Sequence, residues 1–173
     1  QGIAFWASNP TGIGGVASSA IVSGQWYHVA GTRNSSTGEI KLYLNGVLIG
    51  SANGPTGQVQ NSNNVLFGKY ASVNRGYFTG EVDFVRMWNI VLTQSDITTY
   101  MNTPPATNAT GLTGYWNFNE GTGTTLTDQT SNGNNATIHG ASWVSGDANI
   151  PPSTPTGLVV TPGNAQNVLS WTA

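Results

Sequence analysis

The chain contains no cysteine, so disulfides and thiolate metal sites are excluded together. Charge is nearly as scarce. Five Lys and Arg and seven Asp and Glu make up 7% of 173 residues and leave a net charge of −2. With no basic cluster, nucleic acid and anionic membranes are poor partners. Only two histidines occur, His28 and His139. They are too few for a zinc site without Cys, and no G-x-S-x-G elbow supplies a nucleophile for either. Both read as hydrogen-bonded strand residues. No apolar run approaches the ~20 residues of a membrane-spanning helix. The chain opens on Gln1 with no Met and no signal peptide, which reads as an internal piece of a longer precursor.

Aromatics are plentiful at 10%, with six Trp among many Gly, Ser, Thr and Asn. A packed protein is expected rather than a disordered tract, and the composition suits a bacterial extracellular module. Short β-like runs recur between turn residues. In "GEIKLYLNGVLIGSA" (38–52), Ile40, Leu42 and Leu44 alternate with Lys41, Tyr43 and Asn45, the period of a half-buried strand. Asn45-Gly46 tolerates positive φ at both positions and predicts a tight hairpin. "QWYHVAGTR" (25–33), "NNVLFGKY" (63–70), "GYFTGEVDFVRMWN" (76–89), "GLTGYWNFNE" (111–120) and "NATIHGASWV" (135–144) read as further strands. "TQSDITTYM" (93–101) reads as a helix, with Thr93 as N-cap and Asp96 three residues on. Many short strands and one short helix predict an all-β antiparallel sandwich.

Four segments in order, "GQWYHVAGTR", "GEIKLYLNG", "FTGEVDFVRMWNIVLTQSDI" and "GLTGYWNFNEGTGTTLTDQTSNGNNATIHGASWV", span residues 24–144. In them the chain resembles laminin-G-like, concanavalin A-like modules of bacterial secreted and surface proteins. The resemblance implies a jelly-roll sandwich over residues 1–146, lacking the family's opening strands. A Pro-rich linker follows at 147–156. After it, "PTGLVVTPGNAQNVLSWTA" resembles the first strands of a fibronectin type III domain, over residues 157–173. The expected role is a non-catalytic recognition or adhesion module of a secreted or surface multi-modular protein, with glycan as ligand. Its other partners would be neighbouring modules and adjacent chains in a fibre. A structural spacer without a ligand is the alternative.

Three places carry candidate chemistry. Glu81 and Asp83 of "GEVDFVRMWN" match the first two acids of the E-x-D-x-x-E motif of β-glucanases on this fold, but the third position is Arg86. Retaining hydrolysis needs two carboxyls, and a guanidinium cannot give up a proton near neutral pH. The motif therefore fails as a catalytic site. Apolar residues at both parities predict a strand covered on both faces or bulged, with Glu81 and Arg86 at surfaces. Asp83 would accept backbone N–H bonds or help hold an ion.

"DQTSNGNN" (128–135) places Asp128, Thr130, Asn132 and Gly133 at the 1, 3, 5, 6 spacing of a calcium loop, but His139 stands where a bidentate Glu belongs. The preferred reading is a turn in which Asp128 caps backbone N–H groups. A calcium site, alone or shared with Asp83, is the alternative. Finally, "GKYASVNRGYF" offers Tyr70, Arg75 and Tyr77 as a sugar platform, aromatic faces for the ring and arginine for the hydroxyls. It lacks the acids that pentraxin-type calcium binding uses. Trp26, Trp88, Trp116 and Trp143 are expected in the core.

Overall fold

The computed structural model describes residues 2–9, 12–17, 21–59, 64–69, 77–144, 156–163 and 166–172, the last two segments for their backbone alone. In chain order its elements are β1 (Ala4–Asn9), β2 (Gly12–Ala17), β3 (Val29–Arg33), β4 (Glu39–Leu44), β5 (Val47–Asn53) and β6 (Val85–Trp88). There follow α1 (Gln94–Asn102), β7 (Leu112–Trp116), β8 (Thr125–Leu126), β9 (Ala136–Thr137), β10 (Thr156–Gly163) and β11 (Gln166–Thr172). All ladders are antiparallel: β1–β2, β3–β4–β5, β6–β7, β8–β9 and β10–β11.

Asn45 and Gly46 sit at φ 49° and 77° between the paired Leu44 and Val47. Both central residues are left-handed, so the turn twists with the strands it joins. It sets the register of β4, the middle strand of three. Ile40 and Leu42 are fully buried and face the β1–β2 hairpin, each contributing about 1.5–3 kcal/mol. The two layers approach closely because Gly14 and Gly54 meet backbone to backbone, where a Cβ on Gly14 would strike Gly54. Phe5 lies across Gly31 and Val16 across Gly50. This hairpin, unread from the sequence, is the second layer of the sandwich. Tyr43 is buried too, and Lys41 half-buried. β4 is covered on both faces rather than half-exposed.

The helix forms where its cap predicts. Asp96 N–H donates to Thr93 Oγ1 at 3.1 Å, and Thr93 N–H donates back to Asp96 Oδ2 at 2.9 Å. Ile97 is buried, and Tyr100 stacks on Trp88 with centroids 5.1 Å apart. Gln94 Nε2 donates to Gly46 O, tying the start of α1 to the β4–β5 turn.

Several expected strands are shorter than predicted, each for a local reason. Residues 64–69 form none: Gly68 turns at φ 76°, and Phe67 packs edge-on against Trp116. The 76–89 strand is confined to β6 because Phe84 sits at φ 50°. Likewise 111–120 shortens to β7 because Phe118 sits at φ 56°. The 25–33 strand begins only at Val29, and 135–144 keeps only the short β9. The bulge expected in the 80–89 strand lies instead on its partner β7. Thr113 has no partner between the pairs Met87–Gly114 and Trp88–Leu112. The linker from 147 to 155 lies outside the described residues. The two strands expected after it are β10 and β11.

Candidate functional site

The stretch that carries the paired acids splits them. Glu81 is exposed, while Asp83 is half-buried and its Oδ1 accepts Phe84 N–H at 2.8 Å. Arg86 is not at the surface, contrary to the sequence expectation. Its guanidinium lies 5.6 Å from the Phe84 ring centroid and 5.0 Å from that of Tyr115. Its Nη1 donates to Tyr100 O at 2.7 Å, a carbonyl in the last turn of α1, where the helix dipole favours a cation. Two ring faces and a helix end thus stand where a carboxylate would usually stand. His28 is held neutral beside it: burial lowers its pKa below the ordinary value, and the Arg86 charge lowers it further. The arrangement supplies a fixed positive charge and a neutral imidazole.

The Asp128 loop is an edge seal. Asp128 is buried, and its Oδ1 accepts the backbone N–H of Tyr115 and of Thr130, both at 3.0 Å. Its Oδ2 accepts Asn134 N–H at 3.0 Å, and Thr130 Oγ1 lies 2.9 Å from both oxygens. Burial alone would raise this carboxyl, but the donors from Thr130, Tyr115 and Asn134 hold it below the usual carboxylate range. Gln129 N–H donates to Tyr115 O, while Asn132 and Asn134 side chains both donate to Thr113 O. The free edge of β7 is therefore closed by side chains and one strand-like bond. Trp116 Nε1 adds a bond to Asn134 O. As folded, the Asp128 and Thr130 oxygens face N–H and O–H donors and the Asn132 amide itself donates to Thr113 O and Thr130 Oγ1, an arrangement that does not fit a cation. Among the described residues, no three His, Asp or Glu side chains gather to hold a metal ion, Asp83 included.

Of the sugar platform, Tyr70 and Arg75 lie outside the described residues. Tyr77 is 62% exposed, next to an exposed Phe78, and Lys69 Nζ lies 5.6 Å from its ring centroid. Trp116 is in the core as expected and Trp88 and Trp143 are half-buried, but Trp26 is exposed. It follows Gly24, a turn at φ 78° that delays the strand.

The sequence reading missed Trp6, 59% exposed and lying across Gly15 opposite it in the β1–β2 ladder. The alternation of Ala4, Trp6 and Ser8 with Phe5 and Ala7 is the signal that could have found it. Two grooves were missed as well. One of about 370 Å³ runs between the sheet and the start of α1, lined by Tyr43, Leu48, Val91 and Gln94 among others. The other, of about 230 Å³, is lined by Asn117, Asn119, Glu120, Thr127 and Gln129.

Residues 1–98 match the family described as the concanavalin A-like lectin/glucanases superfamily. Among solved structures, the crystal structure of an S-layer domain-containing protein from Clostridium thermocellum (its residues 221–444) aligns at 25% identity with a TM-score of 0.40. The alignment covers 57% of this chain and spans 50% of that one, a likeness too loose to carry a role across. No curated protein matches the chain.

Proposed function

From the premise that this chain belongs to the concanavalin A-like lectin/glucanase superfamily, we propose that it is a non-catalytic recognition and adhesion module with a glycan ligand. It would act outside the cell, secreted or at a bacterial surface, as one unit of a multi-modular polypeptide. The observation that carries this reading is the exposed Tyr77 ring with the Lys69 ammonium beside it. A sugar offers an apolar ring face to an aromatic plate and hydroxyls to a neighbouring donor. Tyr70 and Arg75 fall in the same loop by sequence and would extend the platform. Against catalysis stands the Glu81 stretch, whose third acid position is the half-buried Arg86. Low charge with many small polar residues suits an extracellular module. Among the described residues, no helix is long and apolar enough to cross a membrane.

A glycan array probed with wild type and Tyr77→Ala tests the proposal. Saturable binding that falls about tenfold or more in the variant, with an unchanged far-ultraviolet circular dichroism spectrum, is expected. Equal binding by both would move the site away from this loop. No saturable binding by the wild type would leave the chain as a spacer whose repeats set reach.

A further inference from the structure

The second groove is lined by polar side chains alone. Every side chain that lines it is able to hydrogen-bond: three amides, a hydroxyl and one carboxylate, from Asn117, Asn119, Gln129, Thr127 and Glu120. Its floor is set by the end of β7. Phe118 adopts φ 56°, a left-handed conformation that costs a bulky residue on the order of 1–3 kcal/mol. Packing with Phe67, whose ring centroid is 6.4 Å away, offsets that cost. The backbone turns as the Phe118 ring packs with Phe67, and Asn117 and Asn119 line the groove with Glu120. The opposite wall, Thr127 to Gln129, is fixed by the bonds of Gln129 and Asp128 to Tyr115.

Within the groove, Glu120 Oε1 accepts Thr127 N–H at 2.8 Å, but Glu120 Oε2 is shielded and has no donor. A shielded carboxylate oxygen without a donor is uncommon in a folded protein. Gln129 Nε2 donates to Thr127 O at 3.2 Å, and Asn119 N–H reaches Asn117 Oδ1 at 3.4 Å. The amide groups keep further donor and acceptor capacity.

We propose that this groove is a saccharide subsite that reads hydroxyls rather than a ring face. A hydroxyl donates and accepts, as the lining amides do, and Glu120 Oε1 keeps acceptor capacity beside its bond from Thr127 N–H. No aliphatic or aromatic side chain lines the groove. One carboxylate without a second acid makes a poor calcium cage. At about 230 Å³ the groove is smaller than the roughly 300–1,000 Å³ of most small-molecule pockets, so it takes one sugar unit at its hydroxyl edge. The proposal rests on the glycan reading above but names a place apart from the Tyr77 ring.

The test is nitrogen-15 correlation spectroscopy on the full chain, in which side-chain amide signals of Asn117, Asn119 and Gln129 report on the groove. Methyl α-D-mannopyranoside, methyl β-D-glucopyranoside and methyl β-D-galactopyranoside are titrated separately. At least one should move all three amide signals saturably. Glu120→Gln, which keeps an oxygen for Thr127 N–H, should weaken that effect about tenfold or more. Asn119→Ala removes an exposed side chain and should weaken it with the fold intact, so a misfolded Glu120 variant would not hide the answer. Groove amides that stay still with all three glycosides would overturn the proposal. The glycan array decides the recognition reading independently, because it turns on Tyr77. Amides that move with calcium chloride and not with the glycosides would also overturn it, making the groove a cation site.

Discussion

Replacing Asp128 by alanine removes the acceptor for three backbone donors at once. Asn134 is exposed and its N–H can turn to water, but Tyr115 and Thr130 are 6% and 8% exposed, so their N–H groups would be stranded. A buried donor without a partner costs about 1–3 kcal/mol, so two should cost about 2–6 kcal/mol, a large share of the 5–15 kcal/mol that holds a typical domain. Asp128→Asn keeps the shape and one acceptor oxygen and should lose less, about 1–2 kcal/mol.

The assay is urea unfolding followed by tryptophan fluorescence, which the Trp116 bond to this loop makes sensitive to the change. The pH dependence has a definite sign. The Asp128 carboxyl is held below its ordinary value, so its contribution is complete above about pH 4, the unfolded value, and is lost as pH falls through the folded one. The wild type should therefore lose stability more steeply below about pH 4 than Asp128→Asn does. Added calcium should leave the wild-type midpoint unchanged. A loss under about 1 kcal/mol in Asp128→Ala, or identical acid limbs, would refute the reasoning. A calcium-dependent rise in wild type that vanishes in Asp128→Asn would restore the cation reading.

Gly46→Val places a β-branched residue at φ 77° with its Cβ 3.0 Å from Thr98 Oγ1. It should cost about 1–3 kcal/mol, while Gly46→Asn should cost less, and equal melting temperatures for wild type and the Val variant would contradict the turn geometry. Arg86→Met removes the charge beside His28, so the His28 titration followed by NMR should move up toward its ordinary value. Neutral His28 stabilises the fold above about pH 6.5, an advantage lost as pH falls. The variant should lose less of it, and an unmoved titration would mean that Arg86 does not act on the ring. Glu81→Gln changes an exposed side chain and should alter stability by under about 0.5 kcal/mol. Neither protein should release reducing sugar from β-glucan, and release by wild type that the substitution abolishes would revive a catalytic role.

The features legible in the sequence are those settled by near neighbours. The Asn45-Gly46 turn and the Thr93–Asp96 capping box each depend on a few consecutive residues, and both stand where they were expected. Strand ends at Phe84 and Phe118 were not legible, because phenylalanine has no preference for positive φ. Packing overrides its propensity: Phe67 meets Phe118 from far along the chain. Arg86 was misplaced for the same reason, since Tyr115 and the Tyr100 carbonyl reach it only in the folded chain. The Asp128 spacing has a deeper ambiguity. Alternating oxygens at a tight turn serve a cation or a set of N–H donors equally well, and only the arrival of Tyr115 and Asn134 decides. Of the candidate sites, Tyr77 is exposed in the folded chain. The Glu120 groove was hidden because its two walls, 117–120 and 127–129, become one surface only once both are pinned to β7.

The loop that closes the β7 edge also bears on the order in which the chain can fold. Its contacts run from Tyr115 to Asp128 and from Trp116 to Asn134, and those of Arg86 and Trp88 run to Tyr100 and β7. All fall within residues 85–137, once the Thr125–Thr137 pair is included. The packing of β1 to β5 is likewise enclosed within residues 4–54. Short separations favour fast formation, so each stretch can assemble on its own. They meet through thin seams, such as Gln94 on Gly46. Native-state hydrogen exchange should accordingly show two cooperative opening units, with the Tyr115 amide in the later-numbered one. That amide, bonded to a carboxylate and not to a neighbouring strand, would exchange on its own clock, released when the loop lifts rather than when the ladder parts.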